Sequence, residues 1–316
     1  MIGYTEVGLP CIAVPDSAPG DSTWDSPVTQ LRDESAAVLD VLKKRGAILF
    51  RGFHLGGAEW FERFASAVCP SLQDYVGGNS PRTKVSGKVF TSTEYSQRAK
   101  ISLHNEASYL KEMPRYVLFY CSVAPNDRGQ TPLADSRRIY EKVDPDVRSK
   151  FEIRRVKYIN NLHNGEGVGR SWQEVFQTDN RHTAERRLDA DGYQYEWKEN
   201  GGLRTSIVAE AITDHPETGE RVWINQAEQW HPSSLSPDTR DALASVMPES
   251  DFPHNSTFGD GTPMDEQELA HIRKIMNQEE TSFDWIAEDV LFCDNYLVMH
   301  GRQPFTGPRR ILCVLG

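Results

Sequence analysis

The chain has 316 residues, of which 38% are hydrophobic and 26% charged, and its formal net charge is −11. This is the profile of a soluble globular protein with a large core, and no stretch is biased enough to be disordered. The acidic balance argues against non-specific binding to nucleic acid or anionic membrane, and no run of 18 apolar residues offers a transmembrane helix.

The first twenty residues lack a basic start and a long apolar run, so no signal peptide is expected. Five cysteines, Cys11, Cys69, Cys121, Cys293 and Cys313, are scattered without CxxC spacing. They read as free thiols of a reducing compartment, and the expected location is cytoplasmic.

In chain order, residues 35–45 have helical spacing, end in Lys43-Lys44-Arg45 and stop at Gly46. Residues 47–50 then predict a short buried strand, and 57–68 a second helix with Phe61, Phe64, Ala65 and Val68 on one face. Short strands follow at 116–121 and 154–159. Segments 206–212 and 221–224 flank a hairpin turn at His215-Pro216-Glu217-Thr218-Gly219. Residues 265–277 predict a helix, and 290–300 and 310–315 predict strands joined through Pro304 to Pro308. Many short strands with turn signals and a few helices suggest a sandwich or jelly roll, as a single domain over residues 1–316.

Two pieces of this pattern carry chemistry. His104 and Glu106 are two apart, so an extended segment points both to one side while Asn105 points away. His300, at the end of an apolar strand, is a candidate third ligand. Two imidazoles and a carboxylate form the facial set of non-haem Fe(II) oxygenases, although the same ligands also suit zinc. A second His-x-Glu, at His215, sits in a polar turn and reads as structural; the other histidines have no ligand spacing. Arg309 and Arg310 are adjacent, so on a strand one faces inward and the other meets solvent. A planar guanidinium inside a pocket suits bidentate carboxylate binding.

These residues lie on a longer path of motifs. It runs through Thr93-Glu94-Tyr95, Ile101 to Tyr109, Gly129 to Ser136, Asp294-Asn295-Tyr296 and His300 to Arg310. The path resembles the taurine-dioxygenase-like superfamily of Fe(II)/2-oxoglutarate oxygenases, and within it the syringomycin-type amino-acid hydroxylases. The resemblance implies a double-stranded β-helix, a cupin-like jelly-roll barrel that is mainly β, with helical insertions between the first two ligands and the third. It implies Fe(II) on His104, Glu106 and His300, with 2-oxoglutarate and O2 as co-substrates. Thr131 and Arg310 match the positions that bind the distal carboxylate of 2-oxoglutarate.

By the same resemblance the reaction is oxidation of an unactivated C–H bond, by hydroxylation, with desaturation or epoxidation as alternatives. A carboxylate at Glu106 disfavours halogenation, which needs a small residue there. The substrate would be an amino acid or amino-acid-derived natural-product intermediate, free or tethered to a peptidyl carrier protein. Arg82, Asn105 and Arg204 are candidate substrate-binding residues. Arg137-Arg138 and Arg186-Arg187 are candidate docking patches for an acidic carrier. Taurine-type members carry a further arginine four residues beyond the first. Counted from Arg310 that position is Val314, which speaks against a strongly anionic substrate. A zinc hydrolase and a non-catalytic jelly-roll binding protein are the rival readings.

Overall fold

The computed structural model describes residues 2–5, 8–15, 26–74 and 82–316. Its frame is an eight-stranded sheet in the order Ile2–Tyr4, Cys11–Pro15, Ala47–Phe50, Val290–Asp294, Tyr116–Val123, Arg310–Leu315, Val89–Thr91 and Lys84–Ser86. A smaller sheet of Ile101–His104, Val298–Arg302 and Leu133–Asp135 carries His104 and His300, two of the three candidate ligands. All but one of the strand pairings in these two sheets are antiparallel, the jelly-roll arrangement that the sequence implies.

The central strands of the large sheet are buried on both faces, which is why they read as unbroken apolar runs. Leu118, Tyr120, Leu312 and Val314 pack outward with Phe50 and Phe292 beneath helices Ser35–Arg45 and Ala58–Val68, meeting Val38, Leu42, Phe61 and Phe64. The alternate residues Val117, Phe119, Cys121, Ile311 and Cys313 pack inward with Leu133 and Val298. All five cysteines are buried and free. Among the described residues, no helix is long and apolar enough to cross a membrane.

Three sequence expectations change in ways that matter for the site. The run 290–300 is two strands, one in each sheet. At the break, Tyr296 N–H donates to Asp294 Oδ1 at 3.1 Å, and Leu297 N–H to the Asp294 carbonyl at 3.1 Å. An aspartate that caps its own turn competes with the ladder. This turn carries the chain across the sandwich and delivers His300 to the small sheet. Residues 154–155 are not strand: helix Pro145–Arg154, capped by Asp144, ends at Arg155 with φ 58°, and the strand is Val156–Leu162. The run 206–212 divides into Leu203–Ala209 and Ile212–Asp214, and the latter forms the expected hairpin with Arg221–Trp223.

Between the second and third ligand positions the chain inserts helices, among them Arg181–Asp191 and Glu266–Glu279, and a four-stranded sheet. Strand His254–Phe258 of that sheet and helix Ala227–Trp230 reach the ligand region and form one wall beside it.

Candidate active site

His104 and His300 are direct cross-strand partners on antiparallel strands, with ring centroids 4.6 Å apart. Glu106 lies just past the end of its strand, in a turn closed by Ala107 at φ 52°. One ligand atom from each of the three residues lies within 4.8 Å of the others. Gly301 is required beside them, because a Cβ there would sit 2.6 Å from the Ile101 carbonyl oxygen and force the two ligand strands apart.

The donors are prepared for a cation. His104 Nδ1–H donates to the Ser102 carbonyl at 2.8 Å, which fixes the tautomer and leaves Nε2 as a lone-pair donor. Burial, and then the neighbouring His300, pushes the His104 imidazole down to about 4, so it stays neutral. Burial alone would raise the Glu106 carboxyl, but the Arg82 guanidinium at 2.5 Å, helped by both imidazoles, holds it well below the usual range. His300 Nδ1 is buried with no hydrogen-bond partner among the described residues, and its Nε2 lies 3.6 Å from Glu106 Oε2. A small divalent ion with imidazole and carboxylate ligands fits this donor set.

The turn bearing Glu106 is held by two buried asparagines, one of which, Asn295, the sequence reading gave no role. Asn295, fully buried, accepts from Glu106 N–H at 2.7 Å and donates to the Glu106 and Pro114 carbonyls, each at 2.9 Å. Asn105 is also fully buried. Its side-chain amide donates to the Asn295 carbonyl at 2.7 Å and to Ser136 Oγ at 3.2 Å, while its backbone carbonyl accepts from Gln226 Nε2. Asn105 is thus a brace behind the site rather than a face toward substrate. Asn295→Ala is expected to cost about 3 kcal/mol of stability through unsatisfied buried backbone groups and to weaken metal binding roughly 10- to 100-fold. Thermal denaturation and a metal titration check the two effects, and unchanged metal affinity would remove Asn295 from the site.

Arg310 is exposed, and Arg309 is the arginine that enters the protein. Arg309 shares its parity with Ile311 and Cys313, which face between the sheets, whereas Arg310 shares that of the outward Leu312 and Val314. The register shift beside Arg310 falls on the partner strand, which skips from Val123 to Cys121, so the parity holds. Arg309 Nε donates to the Gly129 carbonyl at 2.9 Å, and its guanidinium lies 3.5 Å from Thr131 Oγ1. Trp285 Nε1 also donates to Thr131 Oγ1, at 3.1 Å. Burial, and then Arg302, pulls Arg309 down to about 10, still a cation at neutral pH. Counted from Arg309, the position four residues on is Cys313 rather than Val314.

Three cavities meet at these side chains. A small one of about 30 Å³ is lined by His104, His300, Thr131 and Arg309, room for about one water. To take a keto diacid it must open into the neighbouring cavity of about 430 Å³, with which it shares Ile101 and His104. That second cavity is lined by Glu106, Tyr109, Gln226, Gln229 and Trp230. A third, of about 940 Å³, shares Tyr95 and His254 with the second and Arg82 with the first. Burial, reinforced by Arg170, pushes His254 down to about 4, so the shared wall is neutral; its ring lies 5.0 Å from that of Trp230. Arg302 fixes the other side of this wall by donating to the carbonyls of Thr93, Tyr95, Ser96 and Ala99.

Of the remaining sequence candidates, Arg82 is in the site and Arg204 is not. Arg204 donates to the Ser250 carbonyl at 2.9 Å and lies 3.6 Å from Asp251, outside the lining of all three cavities. His215 is buried in its hairpin turn, where Nδ1 accepts from Thr218 N–H at 2.9 Å and Nε2 lies 3.1 Å from Asp294.

A jelly roll that brings two histidines and one carboxylate together, with a half-buried arginine nearby, has the ligand set of the non-haem iron oxygenases. The chain belongs to the TauD/TfdA family: the model of the taurine catabolism dioxygenase TauD, TfdA family matches residues 15–315. It is an Fe(II)- and 2-oxoglutarate-dependent oxygenase. Among its relatives, the dapdiamide synthesis protein DdaC of Enterobacter agglomerans is 32% identical over 276 residues, 87% of this chain and 83% of that protein. A clavaminate synthase-like protein of Arabidopsis thaliana is 32% identical over 283 residues, 87% and 82% of the two chains. The fold is similar to that of PvcB, an Fe, alpha-ketoglutarate dependent oxygenase from an isonitrile synthetic pathway. The TM-score is 0.52 at 15% identity, covering 96% of this chain and 85% of that one. AAD-2, solved with Mn(II) and N-oxalylglycine, gives a TM-score of 0.54 at 13% identity over 100% and 96% of the chains.

Proposed function

We propose that the protein hydroxylates an unactivated C–H bond of an amino acid or amino-acid-derived intermediate in natural-product assembly. The observation that carries this reading is the presence of all three protein ligands beside a polar cavity of about 430 Å³, whose amides Gln226 and Gln229 lie next to Tyr109 and Trp230. The Gln226 amide is engaged by Asn105, Ser108 and Trp230, so Gln229 is the amide that faces the cavity, and the lining suits a small substrate with hydrogen-bonding groups around an aliphatic carbon. The relative named for dapdiamide synthesis supports a natural-product setting.

Iron with 2-oxoglutarate supplies oxygen activation coupled to decarboxylation, which gives succinate and carbon dioxide. The chain fixes geometry around that chemistry. His104, Glu106 and His300 would hold the metal on one face, and Asn295 keeps Glu106 in place. Arg309 and Thr131 would take the distal carboxylate, with Trp285 donating to Thr131 Oγ1 and so orienting that hydroxyl. With Glu106 occupying its ligand position, oxygenation is favoured over halogenation.

The candidate carrier-docking patches are engaged within the fold. Arg137 pairs with Asp135 and Glu220, Arg138 with Glu279, and Arg187 donates to the Phe176 carbonyl. Arg186 donates to Thr183 Oγ1. These pairings leave Arg138 and Arg186 exposed, and the choice of a free substrate over a carrier-bound one rests on the polar cavity of about 430 Å³ beside the ligands. The test is a panel of free amino acids, their N-acyl derivatives and carrier-bound thioesters, scored for succinate and product mass. The expected result is succinate formation stimulated by a free acid, with one oxygen atom gained. Loss of two hydrogens would move the reading to desaturation, and stimulation by thioesters alone would reverse the choice of substrate form.

A further inference from the structure

We propose that Arg82 is the specificity-determining residue for the primary substrate, and that it binds a free carboxylate on that substrate. The inference rests on the amino-acid reading above and narrows it.

The Arg82 side chain is 2% exposed, yet it lines both the small cavity beside Thr131 and the 940 Å³ cavity beside Tyr95 and His254. One terminal nitrogen donates to Glu106 Oε2 at 2.5 Å, and the other to Cys313 Sγ at 3.3 Å. A carboxylate entering the larger cavity, which Arg82 lines, meets this guanidinium and makes a charge-assisted contact stronger than the one to the thiol. The guanidinium can then bridge two carboxylates, Glu106 on the metal side and the substrate on the other.

Charge balance points the same way. Among the described residues the small cavity is lined by three guanidiniums, those of Arg82, Arg302 and Arg309, and by no acidic side chain, whereas the larger cavity sets Asp74, Glu94 and Glu174 against Arg82, Lys84 and Arg170. The carboxylate of Glu106 and the two of 2-oxoglutarate do not balance three guanidiniums and a divalent ion. Excess positive charge in a buried site favours an anionic ligand and disfavours a neutral or cationic one. The cation that the strand lacks at Cys313 is therefore brought to the same place by Arg82, and an anionic substrate is favoured where the strand sequence alone argued against one. An amino acid held through its carboxyl as a thioester has no such group, so the contact selects the free acid. An N-linked conjugate keeps its carboxylate and remains a substrate form.

The test uses the full chain loaded with Mn(II) and N-oxalylglycine, which occupies the iron and 2-oxoglutarate positions without turnover. Free amino acids, their N-acetyl derivatives and the matching carboxamides are compared by thermal shift and calorimetry. The preferred acid is expected to bind at least about 30-fold more tightly than its amide, about 2 kcal/mol for one charge-assisted contact. Arg82→Gln is expected to erase that preference, and Arg82→Lys to retain part of it. Metal titration of the same variants separates this role from one confined to Glu106, which would change metal affinity and leave the acid-over-amide ratio intact. Equal binding of acids and amides, no binding by either, or a preference that survives Arg82→Gln would each overturn the proposal. Turnover with an amide alone would remove the carboxylate contact and keep the amino-acid substrate. Acids that bind without any turnover would keep the contact and remove that substrate class.

Discussion

His300→Ala is expected to abolish 2-oxoglutarate-driven succinate formation and to lower Fe(II) affinity by roughly 1000-fold, since changes behind a ligand already cost 10- to 100-fold. The side chain is 4% exposed, packs edge-on against Phe119 at 5.0 Å and faces His104 across the small sheet. No other imidazole is placed to replace it: among the described residues the cluster of His104, Glu106 and His300 is the one group able to hold an ion. Alanine also leaves a void beside Phe119, so His300→Gln serves as the volume-matched control. Both variants should fold and both should fail to bind iron tightly. Equilibrium dialysis with metal analysis checks this, and tight one-to-one binding by either variant would contradict the ligand set.

Arg309→Ala should raise the 2-oxoglutarate requirement by roughly two to three orders of magnitude, while Arg310→Ala leaves it within about twofold. A bidentate charge-assisted contact with a buried carboxylate is worth about 3–4 kcal/mol, and each 1.4 kcal/mol is tenfold. Arg310 is exposed at the strand end, where substitutions stay within about 0.5 kcal/mol. Steady-state succinate assays over a range of 2-oxoglutarate concentrations distinguish the two. A large effect at Arg310 with none at Arg309 would restore the assignment made from the sequence.

That pair shows where sequence reading reached its limit. Adjacent arginines on a strand must face opposite ways, and this much was legible. Which one faces inward was not, because Arg310–Leu315 is buried on both sides and each parity presents apolar residues: Ile311 and Cys313 on one, Leu312 and Val314 on the other. The ligands were legible because the chemistry demands particular residue types. Spacing already put His104 and Glu106 together, and the apolar strand before His300 pointed it inward. The two-residue spacing did not reveal that Glu106 sits in a turn, nor that a buried asparagine nearly 190 positions away holds it. Asn295 carries no charge and no periodicity, so only the fold exposes its role.

The break within residues 290–300 had a signal in Asp294-Asn295, of which Asp294 caps its own turn, but the surrounding apolar run masked it. Likewise Asp144-Pro145 marked a helix start that extends to Arg154, in place of the strand expected to begin there. Arg82 gave the reverse case. It was one of three polar candidates with nothing to rank them. The structure separates them by placing Arg82 on Glu106, Asn105 behind it and Arg204 on the Ser250 carbonyl.

His104, Glu106 and His300 would share one ferrous ion, with 2-oxoglutarate held beside it by Arg309. Anaerobic titration of the metal-free protein with Fe(II) in the presence of 2-oxoglutarate tests it through the visible charge-transfer absorption of the chelate. Saturation at one equivalent is expected in the native chain, and no band in His300→Ala. A full band in that variant would mean that the iron sits elsewhere.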